Sequence, residues 1–271
     1  MSDPSRSTIE ILGSKVDRIT AEAAVARIEE WVANPSPLPR FVVVTGFHGL
    51  WIGHQDSGFR DILNQADLFC PDGIAPVWLA RLRGEPLPGR VPGAELMAVW
   101  FERANEQGYS SFFYGDTEET LAALRTRIEL RYPNHRIAGS YSPPFRSLTA
   151  KEDDKIVEMI NQAEPDLLWV GLGLPKQERW ILEHRPRLRV PVAIGVGAAF
   201  GFLSGKVSRV PKWIGEAGFE WVWRFVAEPG KLWRRDLIDG PRFLYHGVRE
   251  SLAYRWGWSD RGKGRGSESD P

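Results

Sequence analysis

The chain has 271 residues, enough for one large hydrophobic core or two small ones. Its composition is 42% hydrophobic and 26% charged, which is typical of a globular protein and not of a disordered one. Lys plus Arg and Asp plus Glu both total 35, so the net charge says nothing about nucleic acid or membrane. We expect no nucleic-acid partner.

Cys70 is the only cysteine, which excludes an intramolecular disulfide or a cysteine metal cluster and fits a reducing cytoplasm. The first ten residues are polar and lack the apolar core of a signal peptide. No apolar run reaches the ~18 residues that a membrane-spanning helix needs. We therefore expect a cytoplasmic protein that is soluble or lies on a membrane surface.

Six short apolar segments predict buried strands, and amphipathic patterns predict helices between them. The expected strands are Phe41 to Thr45, Asp67 to Cys70, Ser111 to Gly115, Arg136 to Gly139, Asp166 to Gly171 and Val190 to Gly197. The expected helices include Ala94 to Gln107, Glu118 to Tyr132 and Thr149 to Ala163. Continuous apolar strands alternating with helices predict an α/β fold, a Rossmann-like and mostly parallel sheet with helices on both faces.

The strand signals stop at Lys206, so we expect a sheet domain over 1–205, a helical appendage over 206–258 and a disordered tail over 259–271. Between Lys206 and Arg255 ten Lys and Arg residues stand against six Asp and Glu, and half of the twelve tryptophans follow Lys206. Two helices are expected, Pro211 to Ala227 and Lys231 to Tyr254. This basic, aromatic element either binds phosphate and contacts lipid or packs as an ordinary helix pair.

Asp72 follows the second expected strand, in Cys70-Pro71-Asp72-Gly73. Ligands of parallel sheets bind at the carboxyl ends of the strands, where a carboxylate is well placed to act as a general base. The alternative is that Asp72 caps the helix that begins near Ile74.

Two strands run into Gly-x-Gly turns, Gly171-Leu172-Gly173 and Gly195-Val196-Gly197. Both lack the third glycine of a dinucleotide fingerprint, which argues against an NAD site. A helix N-terminus after the first turn, with Lys176 adding a positive charge, suits a nucleotide diphosphate. The alternative is a tight turn between strand and helix.

The sequence gives little indication of a metal. It contains no Walker loop and no Asp-x-Asp pair, and His48 and His54 lack an obvious carboxylate or cysteine partner. We expect no metal and no cofactor.

Taken in order, these segments resemble the WecG/TagA/CpsF glycosyltransferase family, glycosyltransferase family 26, over roughly three quarters of the chain. The segments that carry the resemblance are Thr45, Asn64-Gln65-Ala66-Asp67-Leu68, Pro71-Asp72-Gly73, Ala80-Arg81-Leu82-Arg83-Gly84, Pro88-Gly89-Arg90-Val91-Pro92-Gly93, Gly171-Leu172-Gly173-Leu174-Pro175-Lys176-Gln177-Glu178, Gly195-Val196-Gly197-Ala198-Ala199-Phe200, Gly205-Lys206-Val207-Ser208-Arg209-Val210-Pro211-Lys212-Trp213 and Glu220-Trp221-Val222-Trp223-Arg224-Phe225.

The resemblance implies a metal-independent, inverting transferase in the synthesis of bacterial cell-surface polysaccharide. Such an enzyme moves N-acetylmannosamine, a related uronic acid or another hexose from a UDP-sugar donor onto a saccharide linked to undecaprenyl diphosphate. It also implies a peripheral location at the inner face of the cell membrane, with the appendage closing over the site, and self-association into homo-oligomers.

The same resemblance implies roles for individual residues. Asp72 would be the catalytic base, Thr45 and Gln177 would contact sugar or acceptor hydroxyls, and Arg90 would neutralise the departing diphosphate. Arginines of the appendage, Arg224 and Arg234, would hold phosphates. The nucleotide would lie against Gly171, Gly173, Lys176, Glu178, Gly195 and Gly197.

Three positions depart from the family pattern: Phe47 replaces an asparagine, Gly201 an aspartate, and Lys231 an arginine. Phe47 would place an apolar wall in the pocket, so the donor sugar cannot be read from the sequence. Two rival functions stay open, a UDP-binding homologue without activity and an NAD-dependent oxidoreductase. Retention of Asp72 and Arg90 argues against the first, and the incomplete glycine fingerprints argue against the second.

Overall fold

The computed structural model describes residues 6–206 and 234–257. The helix expected from Pro211 to Ala227, the tail over 259–271, and the residues Arg224 and Lys231 lie outside the described residues. Arg234 is the first residue of a π-helical segment, Arg234–Asp239, that leads into the last described helix.

The strands form two sheets among the described residues. An antiparallel hairpin consists of β1 (Thr8–Ile11) and β2 (Ser14–Asp17). A six-stranded, fully parallel sheet has the order β4-β3-β8-β7-β5-β6, and its strands are β3 (Arg40–Thr45), β4 (Leu68–Pro71), β5 (Ser110–Gly115), β6 (Arg136–Tyr141), β7 (Leu167–Gly171) and β8 (Val192–Gly195). The six expected strands and the parallel α/β class are confirmed, and the last strand is shorter than expected.

Helices cover both faces of the six-stranded sheet. One face packs against α2 (Phe47–Gln55), α3 (Ser57–Asn64), α4 (Ile74–Arg83), α7 (Ala150–Ala163), α8 (Lys176–His184) and α10 (Gly240–Arg255). The other face packs against α1 (Ala21–Ala33), α5 (Gly93–Gln107), α6 (Glu118–Arg131) and α9 (Ala199–Ser204).

Strand β3 explains why the pattern is continuously apolar. Phe41 and Val43 enter the core on one face, whereas Val42 and Val44 enter the core on the other, because successive side chains of a strand point to opposite faces. A strand buried on both faces needs apolar residues at every position.

Side-chain caps mark where two of the helices that connect parallel strands begin. The Thr117 hydroxyl accepts a hydrogen bond from the Thr120 backbone N–H at 3.2 Å and so forms the N-cap of α6. Thr149 and Glu152 form a capping box at the start of α7. Each cap satisfies backbone donors that a helix start leaves unpaired.

The N-terminal hairpin and helices α1 to α3 were not anticipated from the sequence. The hairpin strands have four residues each, joined at Leu12 and Gly13, both with positive φ, which is the type I′ geometry. Its stability comes from burial of Ile9, Ile11 and Val16 against the domain. Among the described helices, none has the length and apolar character needed to cross a bilayer.

Candidate active site

The carboxyl edge of strands β4, β3 and β8 brings the expected site residues together. Thr45 ends β3 opposite Pro71 of β4, and the Asp72 backbone N–H donates to the Thr45 carbonyl oxygen at 3.0 Å. Thr45 is buried and Asp72 is half-buried. Gly73, and not Asp72, occupies the N-cap of α4, so Asp72 lies one residue before the cap position that the alternative interpretation gave it.

Arg90 lies on the loop that crosses this edge. The backbone N–H of the next residue, Val91, donates to the Pro71 carbonyl oxygen at 2.7 Å, which places Arg90 beside the Asp72 segment. The loop ends at Gly93, where a built Cβ would lie 3.2 Å from the Val196 carbonyl oxygen. The loop before α5 therefore contacts the ends of both β4 and β8.

Gln177 lies beneath the turn that follows β8. Its Oε1 accepts a hydrogen bond from the Gly197 backbone N–H at 2.9 Å, and its Nε2 donates to Glu178 Oε1 at 2.8 Å. The side chain also lies against Gly195, where a built Cβ would be 2.9 Å from Gln177 Nε2. Gln177 is only 1% exposed, and a contact with a hydroxyl would use the second hydrogen of its amide or the second lone pair of Oε1.

Glu178 is fully buried, and burial raises the pKa of its carboxyl group to about 7. Its Oε2 atom has no hydrogen-bond partner among the described residues. The sequence placed Glu178 among the nucleotide contacts, but a carboxyl group at this depth does not reach an open surface. Its neighbour Gln177 separates it from the turn at the end of β8.

The edge of β7 adjoins the same region, since Val170 pairs with Gly195. Lys176 is exposed at the first position of α8. Gly173 and Gly197 both have positive φ, and a Cβ built on either would meet no atom within 4 Å. The strand ends thus offer open space beside Lys176, while Gly171 is buried against the ring of Phe200.

Phe47, the first departure from the family pattern, contacts the C-terminal helix α10. Its half-buried ring packs against Phe243 of α10, with ring centroids 5.8 Å apart. The apolar wall expected from the sequence is therefore shared with the C-terminal helix. Gly201, the second departure, is buried within α9.

Two small residues that support the site were missed by the sequence analysis. A Cβ built on Gly46 would overlap the Asp72 carbonyl oxygen, and one built on Gly49 would overlap the Thr45 side chain. The sequence did carry a signal for them, since Gly46 and Gly49 lie one and four residues after Thr45. Glycines at these positions let the start of α2 approach neighbouring segments closely.

His54 of α2 packs against α10. His54 stacks on Trp51 and lies 5.0 Å from the ring of His246, and burial, then the charges of His246 and Arg60, lower its pKa. Within 6–206 and 234–257, no group of three or more His, Cys, Asp or Glu residues is arranged to hold a metal ion.

The chain is similar in sequence to proteins of a known family. Residues 9–257 match the family described as Glycosyl transferase WecG/TagA/CpsF family. A protein of Bacillus spizizenii named N-acetylglucosaminyldiphosphoundecaprenol N-acetyl-beta-D-mannosaminyltransferase is 32% identical over 190 residues, 70% of this chain and 71% of that protein. A Staphylococcus aureus protein with the same name is 29% identical over 237 residues, 88% of this chain and 91% of that protein.

Proposed function

Because the chain belongs to the WecG/TagA/CpsF family of glycosyl transferases, we propose that it moves a hexose from a UDP-sugar onto a saccharide linked to undecaprenyl diphosphate. The named relatives transfer N-acetylmannosamine to an N-acetylglucosamine carried on that lipid. The donor proposed here is N-acetylmannosamine, a related uronic acid or another hexose.

The main support is the position of Asp72. A half-buried carboxylate stands at the end of β4, tied through its backbone to Thr45 and flanked by the loop that carries Arg90. Open space lies beyond the neighbouring turns at Gly173 and Gly197. This arrangement supports Asp72 as the proton acceptor and Arg90 as the cation of the site, because parallel sheets bind ligands at these strand ends.

In the proposed reaction, Asp72 accepts the proton of the acceptor hydroxyl while the hydroxyl oxygen attacks the anomeric carbon of the donor sugar. The bond between that carbon and the diphosphate oxygen breaks, and its electrons leave with UDP. Attack opposite the leaving group inverts the anomeric configuration. Arg90 neutralises the charge that develops on the diphosphate, a role that a divalent cation fills in other transferases.

The first test replaces Asp72 by Asn and measures transfer from a panel of UDP-sugars to a lipid-diphosphate acceptor in the presence of EDTA. Removal of the base is expected to lower kcat by about 100-fold or more, while stabilisation of the protein by UDP in a thermal-shift assay is kept. Asp61→Asn, an exposed residue of α3, is the matched control.

Normal transfer by the Asp72→Asn variant would remove Asp72 from the role of base. A requirement for a divalent cation would contradict the metal-independent reaction. Stabilisation by NAD and not by UDP would favour the oxidoreductase alternative.

The proposed location is the inner face of the cell membrane. Helix α10 exposes Tyr245, Arg249 and Arg255, and the residue after it, Trp256, is exposed as well. Aromatic and basic side chains of this kind favour the lipid interface. The acceptor is itself a membrane lipid, so such a surface would bring the site to its substrate.

A further inference from the structure

The side chain of Glu178 is used by no step of the proposed reaction, yet it is fully buried and next to the site. Its Oε1 accepts from Gln177, and Oε2 has no partner among the described residues. A buried carboxyl group with one oxygen left without a hydrogen bond lowers the stability of the folded protein. A role of Glu178 at the neighbouring site would account for this loss of stability.

The hydrogen bonds from Gly197 through Gln177 to Glu178 fix which atom donates and which accepts at each step. The Gly197 backbone N–H can only donate, so the atom of Gln177 that faces it must be the oxygen. The nitrogen of Gln177 then faces Glu178, and Glu178 must present an acceptor. An ionised carboxylate and the carbonyl oxygen of a protonated carboxyl group both accept this bond, so the charge of Glu178 is decided by its surroundings.

We propose that Glu178 is a positioning residue that acts as a neutral acid, holding the Gln177 amide in place and, through it, the turn from Gly195 to Gly197 beside Thr45. The inference rests on the proposed function for its effect on transfer, but not for its effect on the buried chain of hydrogen bonds.

The surroundings favour the neutral form. Burial is the largest influence on the pKa of Glu178 and raises it to about 7, while hydrogen bonds from Gln177 and from the backbone oppose the shift. The charged groups that neighbouring elements bring to α8 pair with residues of α8 other than Glu178. Asp56 pairs with Arg179, and Asp153 of α7 pairs with His184.

The strands next to α8 add no competing charge. β7 and β8 contain no ionisable side chain, and Arg40 of β3 pairs with Asp67 at the opposite end of the sheet. These strands therefore bring no positive charge that would stabilise an ionised Glu178.

The test compares Glu178→Gln with Glu178→Met in the full-length protein, with Glu183→Gln and Glu183→Met on the exposed side of α8 as matched controls. Gln keeps an acceptor for Gln177 without an ionisable proton, whereas Met removes the acceptor. At pH 6 we expect Glu178→Gln to transfer at least about tenfold faster than Glu178→Met. The Glu183 variants should differ little from each other.

The pH dependence separates positioning from a merely structural contribution. Wild-type transfer should decline above pH 7, as the buried group ionises, and the decline should be absent in Glu178→Gln. The melting temperature of the wild type relative to Glu178→Gln should fall between pH 5 and pH 8, because the unfolded carboxyl group ionises at lower pH than the folded one.

Equal activity of the Gln and Met variants, or a melting difference that does not change with pH, would overturn the inference. The melting comparison needs no substrate and stays informative if Glu178→Met does not fold. If the expected melting pattern is found but no UDP-sugar is transferred by the wild type, the positioning inference stands and the proposed function fails.

Discussion

At the scale of single residues, the site depends on how closely backbone segments approach each other. Gly46 follows Thr45 directly and faces the Asp72 carbonyl oxygen, at a distance that leaves no room for a Cβ atom. The hydrogen bond between the Asp72 N–H and the Thr45 carbonyl holds the same two segments together. The position of the proposed base is therefore set by its neighbour strand.

Replacement of Gly46 by Ala should displace the Asp72 backbone. We expect the free energy of unfolding to fall by about 1–3 kcal/mol, typical of overpacking, and kcat for transfer to fall by about tenfold or more. Urea unfolding and the transfer assay measure the two effects. Gly58→Ala is the matched control, since Gly58 is exposed in α3 and its built Cβ would lie 3.3 Å from Asp56 Oδ1. If Gly46→Ala behaves like Gly58→Ala, the close approach does not position Asp72.

At the scale of elements, helix α10 is bound to the sheet domain by a small number of strong contacts. Phe243 is fully buried against Phe47, and Gly247 lies directly over the Leu79 side chain of α4. Glu250 accepts a hydrogen bond from the Leu12 backbone N–H at 2.8 Å. Three different elements of the domain, α2, α4 and the hairpin, thus hold one helix.

Phe243→Ala should loosen this helix. Loss of a fully buried aromatic ring costs about 3–5 kcal/mol of the free energy of unfolding, whereas Leu244→Ala at the exposed neighbouring position should cost less than about 1 kcal/mol. Urea unfolding provides the measurement, and digestion within α10 by a protease should be faster in the first variant. Equal stability of the two variants would contradict the docking contact.

At the scale of the whole molecule, the six-stranded sheet is complete before Lys206, and the described C-terminal helix is an addition to it. The addition covers apolar surface near Phe47 and Leu79 and exposes aromatic and basic side chains outward. One element therefore contributes both to stability and to the proposed membrane surface.

A chain that ends at Lys206 should still fold, since all crossovers of the sheet are kept. We expect a lower melting temperature, stronger binding of a hydrophobic dye, little transfer and weaker sedimentation with anionic lipid vesicles. A chain that ends at residue 257 is the control. Normal transfer and vesicle binding by the shorter chain would make the appendage dispensable.

The sequence by itself determined the six strands of the sheet, the parallel α/β class, and Asp72 as a strand-end carboxylate. These features follow from local patterns, because burial on both faces needs continuous apolar runs. The N-terminal hairpin was missed, because its strands mix polar and apolar residues and lack the continuous apolar run that marks the strands of the parallel sheet.

The tertiary structure alone decided the strand order, the burial of Glu178, the bond between Gln177 and Gly197, and the packing of Phe47 against Phe243. Glu178 had been placed on the nucleotide, since adjacency to a Gly-x-Gly turn does not reveal depth. Each of these features joins residues through the folded core, and the burial and pKa of a side chain depend on what packs around it and not on its neighbours in sequence.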